Sequence, residues 1–194
     1  MQTFDLGKEG LRALNSSLHA LKGQTNMTSW EVINPKGAHA IAAGVDAPVD
    51  ITVRGSTGYY CAGMNKQATI RIKGSAGPGV AENMMSGTVI IDGNASQYAG
   101  ATGRGGLLVV KGNASSRCGV SMKGIDIVCT ALSATCLPSW RNRATLLSWA
   151  TLAKHWATAF MRRVSLCAAR SNRWARIASK KRCVPNISPF WPTF

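Results

Sequence analysis

The stretch with the most obvious potential for chemistry is TVIIDGNASQYAGATGRGG, residues 88–106, a glycine-dense segment behind a short apolar run. Such a segment could cradle phosphate. A phosphate loop needs G-x-x-x-x-G-K-[ST], because its lysine and hydroxyl must reach phosphate and Mg²⁺. Here Gly100, Gly103, Gly105 and Gly106 run into Leu107 and Leu108 instead. A dinucleotide fingerprint G-x-G-x-x-G begins at Gly77 and Gly79, but Glu82 stands at its third glycine. The six cysteines include no C-x-x-C pair, so neither zinc nor redox spacing is present. His19, His39 and His155 are isolated, which argues against a metal trio. No Ser/His/Asp or paired-carboxylate arrangement follows from these spacings. Catalytic, cofactor-binding and metal-ligating residues are therefore each assigned as none. Lys66, Glu82 and Asn83 are polar residues at glycine-flanked corners, open to reading as a partner interface, a tunnel lining or a solvated surface.

The glycines make better sense as punctuation. ITVRG ends at Gly55, IRIKG at Gly74, VIIDG at Gly93 and LVVKG at Gly112, always nineteen residues apart. A fixed period near twenty is the signature of a solenoid. Four and two positions before each glycine stand Ile51 and Val53, Ile70 and Ile72, Val89 and Ile91, Leu108 and Val110. The residue before each glycine is charged: Arg54, Lys73, Asp92, Lys111. That is strand alternation, with one face buried and one exposed. Six positions after the glycine come Cys61, Val80, Ala99 and Cys118, a second inward column. Cys61 and Cys118 are three coils apart, about 14 Å at strand spacing, too far for a disulfide. The glycine itself allows a positive φ or a close backbone approach. The expected fold is an all-β, single-stranded right-handed β-helix of nineteen-residue coils.

An open solenoid end needs a cover. KEGLRALNSSLHALKG places Leu11, Leu14, Leu18 and Leu21 on one helical stripe, with Gly23 as the stop. Residues 1–36 therefore read as an N-terminal amphipathic helix and lead-in. Residues 37–128 read as the β-helix, its first coil degenerate. The start of the chain lacks a basic and apolar leader, and no apolar run reaches membrane-span length. Reduced core cysteines suit a cytoplasmic protein.

The formal charge of +15 suggests nucleic acid or an acidic surface only if it is spread through the fold. It is not. Residues 1–128 hold 12 Lys and Arg and all 8 acids, and residues 129–194 hold 11 Lys and Arg and none. All 20 glycines precede residue 129, and five of the six tryptophans follow it. A lost base near codon 129 accounts for this. Tryptophan has a single codon, TGG, so each Trp-Ala at 149–150, 156–157 and 174–175 becomes glycine in the shifted frame. Residue 150 is two nineteen-residue steps beyond Gly112, and the codons at 131 and 169 also permit glycine. The shifted tail regains LVVLG and LFVRG and recovers acidic residues. Residues 129–194 are accordingly read as a frameshift product outside the native fold. The alternative is a genuine basic module, with 145–180 forming a cationic amphipathic helix for nucleic acid or anionic lipid.

GYYCAGMNKQATI, GPGVAENMMSGTVIIDG, NASQYAGATGRGG and NASSRCGVSMKGIDIV together resemble the GXGXG domain. This is the C-terminal β-helix of the glutamate synthase large chain, with a relative among the subunits of formylmethanofuran dehydrogenase. GAHAIAAGVDAPV and YYCAGMNKQ are most similar to the stand-alone version, a subunit of N-methylglutamate synthase and similar glutamate-synthase-like complexes. The resemblance covers about residues 1–128. It implies a non-catalytic scaffold of an oxidoreductase. The scaffold joins a glutamine amidotransferase subunit to an FMN-binding, iron–sulfur subunit, with the cofactors in the partner and none in this chain. It implies neither nucleic acid nor membrane as a partner.

Overall fold

The computed structural model describes residues 1–23, 26, 28–132 and 145–148. Its elements are β1 (Gln2–Asp5), α1 (Leu6–Glu9), α2 (Leu11–Ala20), β2 (Thr28–Ile33), β3 (Val49–Val53), β4 (Thr69–Ile72), β5 (Thr88–Ile91), β6 (Leu107–Ala114), β7 (Asp126–Leu132) and β8 (Thr145–Ser148). The eight strands form one sheet in chain order, and every neighbouring pair is parallel. From β2 to β7, sequential parallel neighbours with no crossover helix make a parallel β-solenoid; α1 and α2 lie between β1 and β2.

The register follows the sequence period. Ile51 pairs with Ile70, Ile70 with Val89, and Val89 with Leu108. The alternate residues of each strand point inward: Ile51, Val53, Ile70, Ile72, Val89, Ile91, Leu108 and Val110 are all buried. Cys61, Val80, Ala99 and Cys118 are buried with them, in the same core. A second, minimal ladder bridges Thr57 to Ala76, Ala76 to Ala95 and Ala95 to Ala114, again in nineteen-residue steps.

The lead-in is more than a helix. Residues 1–36 also supply two rungs of the sheet, β1 and β2. The terminal helix ends earlier than its leucine stripe suggests. α2 stops at Ala20, and Gly23 takes a positive φ two residues beyond the C-cap Leu21, where it cannot serve as the immediate stop. Leu14 and Leu18 are fully buried, while Leu11 and Leu21 pack at the edge of the core.

This helix closes the coil chemically as well as sterically. Every other corner backbone bonds to the coil before it, but residues 40–43 have no earlier coil. The Asn15 amide substitutes, donating from Nδ2 to the Ala40 carbonyl (2.9 Å) and accepting from the Ala42 N–H (3.1 Å). His19 Nε2 lies 2.8 Å from the Ala43 carbonyl, which fixes it as the donor. Ala42 is fully buried, so removing its partner leaves an orphaned N–H. Asn15→Leu is expected to lower stability by about 1–3 kcal/mol. Urea denaturation, beside a solvent-facing control such as Ser16→Ala, measures it. Equal midpoints for N15L and the control would rule out the capping role.

The sheet also continues past residue 128. Cys129 is buried and pairs with Val110, and Thr145–Ser148 pairs with β7, from Asp126↔Thr145 to Cys129↔Ser148. The boundary at 128 is therefore not where strand pairing ends. Residues 145–148 are strand rather than the start of a cationic helix, because they fall one nineteen-residue step after 126–129. The rest of that proposed helix, and positions 150 and 169, lie outside the described residues.

Candidate functional site

The feature that most distinguishes each coil is its corner. In coil after coil, residues at alternate positions adopt a left-handed backbone: Tyr60, Ala62 and Met64; Gly79, Ala81 and Asn83; Tyr98, Gly100 and Thr102; Arg117, Gly119 and Ser121. Nine of these twelve are not glycine, although the conformation disfavours residues with a Cβ by roughly 1–2 kcal/mol each. Cross-coil hydrogen bonds hold them there. The middle residue donates back, as Ala81 does to the Cys61 carbonyl (2.9 Å) and Gly100 to the Val80 carbonyl (2.8 Å). The outer residues donate forward, Tyr60 to Pro78 (2.9 Å) and Asn83 to Ala101 (2.9 Å). The alternation thus turns the backbone N–H groups toward both neighbouring coils.

Side chains on this corner form a second network. The Tyr60 ring lies on Gly63, where a Cβ would come within 2.4 Å of it. The Tyr60 hydroxyl accepts from Asn83 Nδ2 at 3.2 Å, and Asn83 Oδ1 lies 2.6 Å from Thr102 Oγ1. Arg117 donates to the Tyr98 hydroxyl at 2.6 Å, with its guanidinium over that ring. Glu82 Oε2 sits where a Gly79 side chain would be. Of the polar corner residues singled out in the sequence, Glu82 and Asn83 belong to this network. Lys66, at its border, ties one coil to another, donating to Asp46 at 2.7 Å. Hydrogen bonds from Lys66 and Gln67 hold the Asp46 carboxyl below the usual range. Asn65, which no sequence motif marks, is fully buried and closes its own turn onto the Ala68 carbonyl (2.8 Å) and N–H (3.2 Å).

The charged column on the outer sheet face is an ion-pair ladder. Asp92 lies between Lys73 (3.0 Å) and Lys111 (2.6 Å), one coil to either side. Burial alone would raise the Asp92 carboxyl, but the two lysines outweigh it and hold it below its ordinary value. Arg54 pairs with Glu31 in the same manner. The repeat glycines have two distinct roles. Gly55 has a φ of +137°, while Gly74, Gly93 and Gly112 are crowded by the backbone of the preceding coil.

Among the described residues no three His, Cys, Asp or Glu come together to hold a metal ion. Burial pushes the Cys61 thiol up to about 12, outweighing the Thr57 and Ala62 contacts that favour the thiolate. Cys61 is therefore expected to resist iodoacetamide near pH 8 in the folded chain and to react once urea exposes it. Peptide mass spectrometry of the Cys61 fragment checks this, and rapid native labelling would contradict the burial. No helix among the described residues is long and apolar enough to cross a membrane.

Comparison with known proteins adds one relative. The chain is similar to Protein GlxC of Rhizobium meliloti (strain 1021). The two are 65% identical over 62 residues, 32% of this chain and 27% of that protein. The chain thus matches about a quarter of the relative's length. No family model matches it, and no solved structure does.

Proposed function

We propose that this chain is a non-catalytic scaffold subunit of a glutamate-synthase-like oxidoreductase complex. It joins a glutamine amidotransferase subunit to an FMN- and iron–sulfur-containing subunit, in glutamate or N-methylglutamate synthesis. The observation that carries the reading is the stack of near-identical rungs. Its constant nineteen-residue spacing from β3 to β7 sets out repeated surfaces on which partners could be held. The outward row of the sheet supports the same role, since Ile90, Val109 and Val128 are only partly covered. The GXGXG-like corner motifs and the similarity to Protein GlxC add to it.

The test is co-expression of the full chain with both subunits, followed by size-exclusion chromatography. A ternary complex is expected, with flavin absorbance and glutaminase activity confined to the partners. Formation of a fully active two-subunit complex that excludes this chain would sink the proposal. The basic-module alternative rests on the 11 cations and no acids of residues 129–194. It expects salt-sensitive binding to DNA or anionic vesicles that deletion of those residues abolishes.

A further inference from the structure

We infer that the left-handed corner face is a docking surface for an acidic partner protein. The inference rests on the scaffold reading above and specifies one of its contacts. The described residues expose five large hydrophobic side chains, and three of them lie on this face: Tyr59 (49% exposed), Met64 and Met85 (both 43%). Residues nineteen apart are neighbours on adjacent coils, so Met64 borders Asn83, and Met85 lies between Lys66 and Arg104. Tyrosine, methionine and arginine are the types enriched at the centres of protein interfaces. Methionine also adapts its shape to a partner.

Charge selects the occupant. Arg104 and Lys123 stack one coil apart beside Met85, and Arg117 lies over Tyr98. None of the three is ion-paired among the described residues, whereas Lys66, Lys73 and Lys111 are. The carboxylates at this face are Glu82 and, at its border, Asp46, which Lys66 already pairs. A second copy would bring the same cations against themselves. The chain's own residues 129–194, with no acid, would be repelled likewise. A separate chain with an apolar centre and an acidic rim meets both demands. Single-stranded nucleic acid fits less well. It would need a row of free ring faces for stacking, but Tyr60 lies on Gly63 and Tyr98 is covered by Arg117, which leaves Tyr59 alone among the tyrosines.

The test uses the full chain immobilised and the two proposed subunits as separate analytes, at low and high salt. The variants are Arg104→Glu with Lys123→Glu, and Tyr59→Ala with Met85→Ala. All four positions are exposed, and circular dichroism verifies the fold. Each double variant is expected to weaken binding of one subunit by about tenfold or more. The charge reversal should also remove the salt dependence of that subunit. If both subunits bind both variants as they bind the parent chain, the docking inference is overturned and the scaffold reading stands. If neither subunit binds the parent chain, both fall. Oligothymidine binding that the charge reversal abolishes would assign the face to nucleic acid and overturn the inference.

Discussion

Gly74→Ala is expected to destabilise the solenoid by about 3 kcal/mol or more, a large fraction of a small domain's stability. A Cβ at residue 74 would lie 2.6 Å from the Gly55 carbonyl carbon and 2.6 Å from the Ser56 nitrogen. Both are backbone atoms of the coil beneath, so no flexible side chain can move aside. The coils would have to part locally, which stretches neighbouring rungs. Gly37→Ala separates the two possible causes. Gly37 has a φ of +72° but open space around its Cβ position, so it reports the conformational penalty alone. That penalty is about 1–2 kcal/mol. Gly74 is not in the positive-φ region, so its substitution reports the packing penalty alone. Urea midpoints for the two variants decide it. If G74A is no worse than G37A, coil-to-coil contact is not what requires glycine at this position.

Which parts of the structure were legible in the sequence follows from this distinction. The strand core was legible because two signals coincide: alternation within a strand and a nineteen-residue repeat between strands. Ile70 needs both to be placed inward and opposite Ile51. The glycine column was legible for the same reason, although sequence left open whether it served conformation or space. The corner was not legible. Tyr60, Ala62, Asn83 and Thr102 adopt a backbone that local preference assigns to glycine or asparagine. Only Asn83 hints at it, because the hydrogen bonds that impose it come from coils nineteen residues away. Asn15 was hidden likewise. On a helix stripe it reads as a solvent-facing polar residue, and its role exists only because the first coil lacks a predecessor. β1 and β2 were missed because the lead-in has no repeat glycine to mark a rung. The polar corner residues were noticed, but nothing in their spacing distinguished Lys66, which ties two coils, from Asn83, which bridges Tyr60 and Thr102.

The frame-shift reading makes the second large prediction, and the register of the last described rungs bears directly on it. From β3 to Cys129 each step is nineteen, as in Val110↔Cys129. The pairing then slips to eighteen, with Asn113↔Ala131 and Ala114↔Leu132. In an unbroken repeat residue 131 would stand over Gly112, as Gly112 stands over Gly93. A Cβ at Gly112 would meet the Gly93 carbonyl oxygen at 2.6 Å, and one at Gly93 would meet that of Gly74 at 2.9 Å. An unbroken nineteen-residue step thus favours glycine at 131, whereas in the chain as written β6 carries an extra residue between Val110 and Asn113. Solenoid stability is approximately a sum over coils and their interfaces, so coils restored beyond 131 add to it. They also cover an edge that invites aggregation. A chain whose tail is translated in the shifted frame is expected to give severalfold more soluble protein and a higher urea midpoint than the chain as written. Ala131→Gly in the written chain is expected to bring no such gain in yield, because one glycine leaves the coils after it unchanged. Sequencing the DNA across codons 127 to 132 tests the premise itself. Repeated reads that keep the written frame, with equal soluble yield and midpoint for the two chains, would remove the frame-shift reading and leave the bulge between Val110 and Asn113 as a native feature of this sheet.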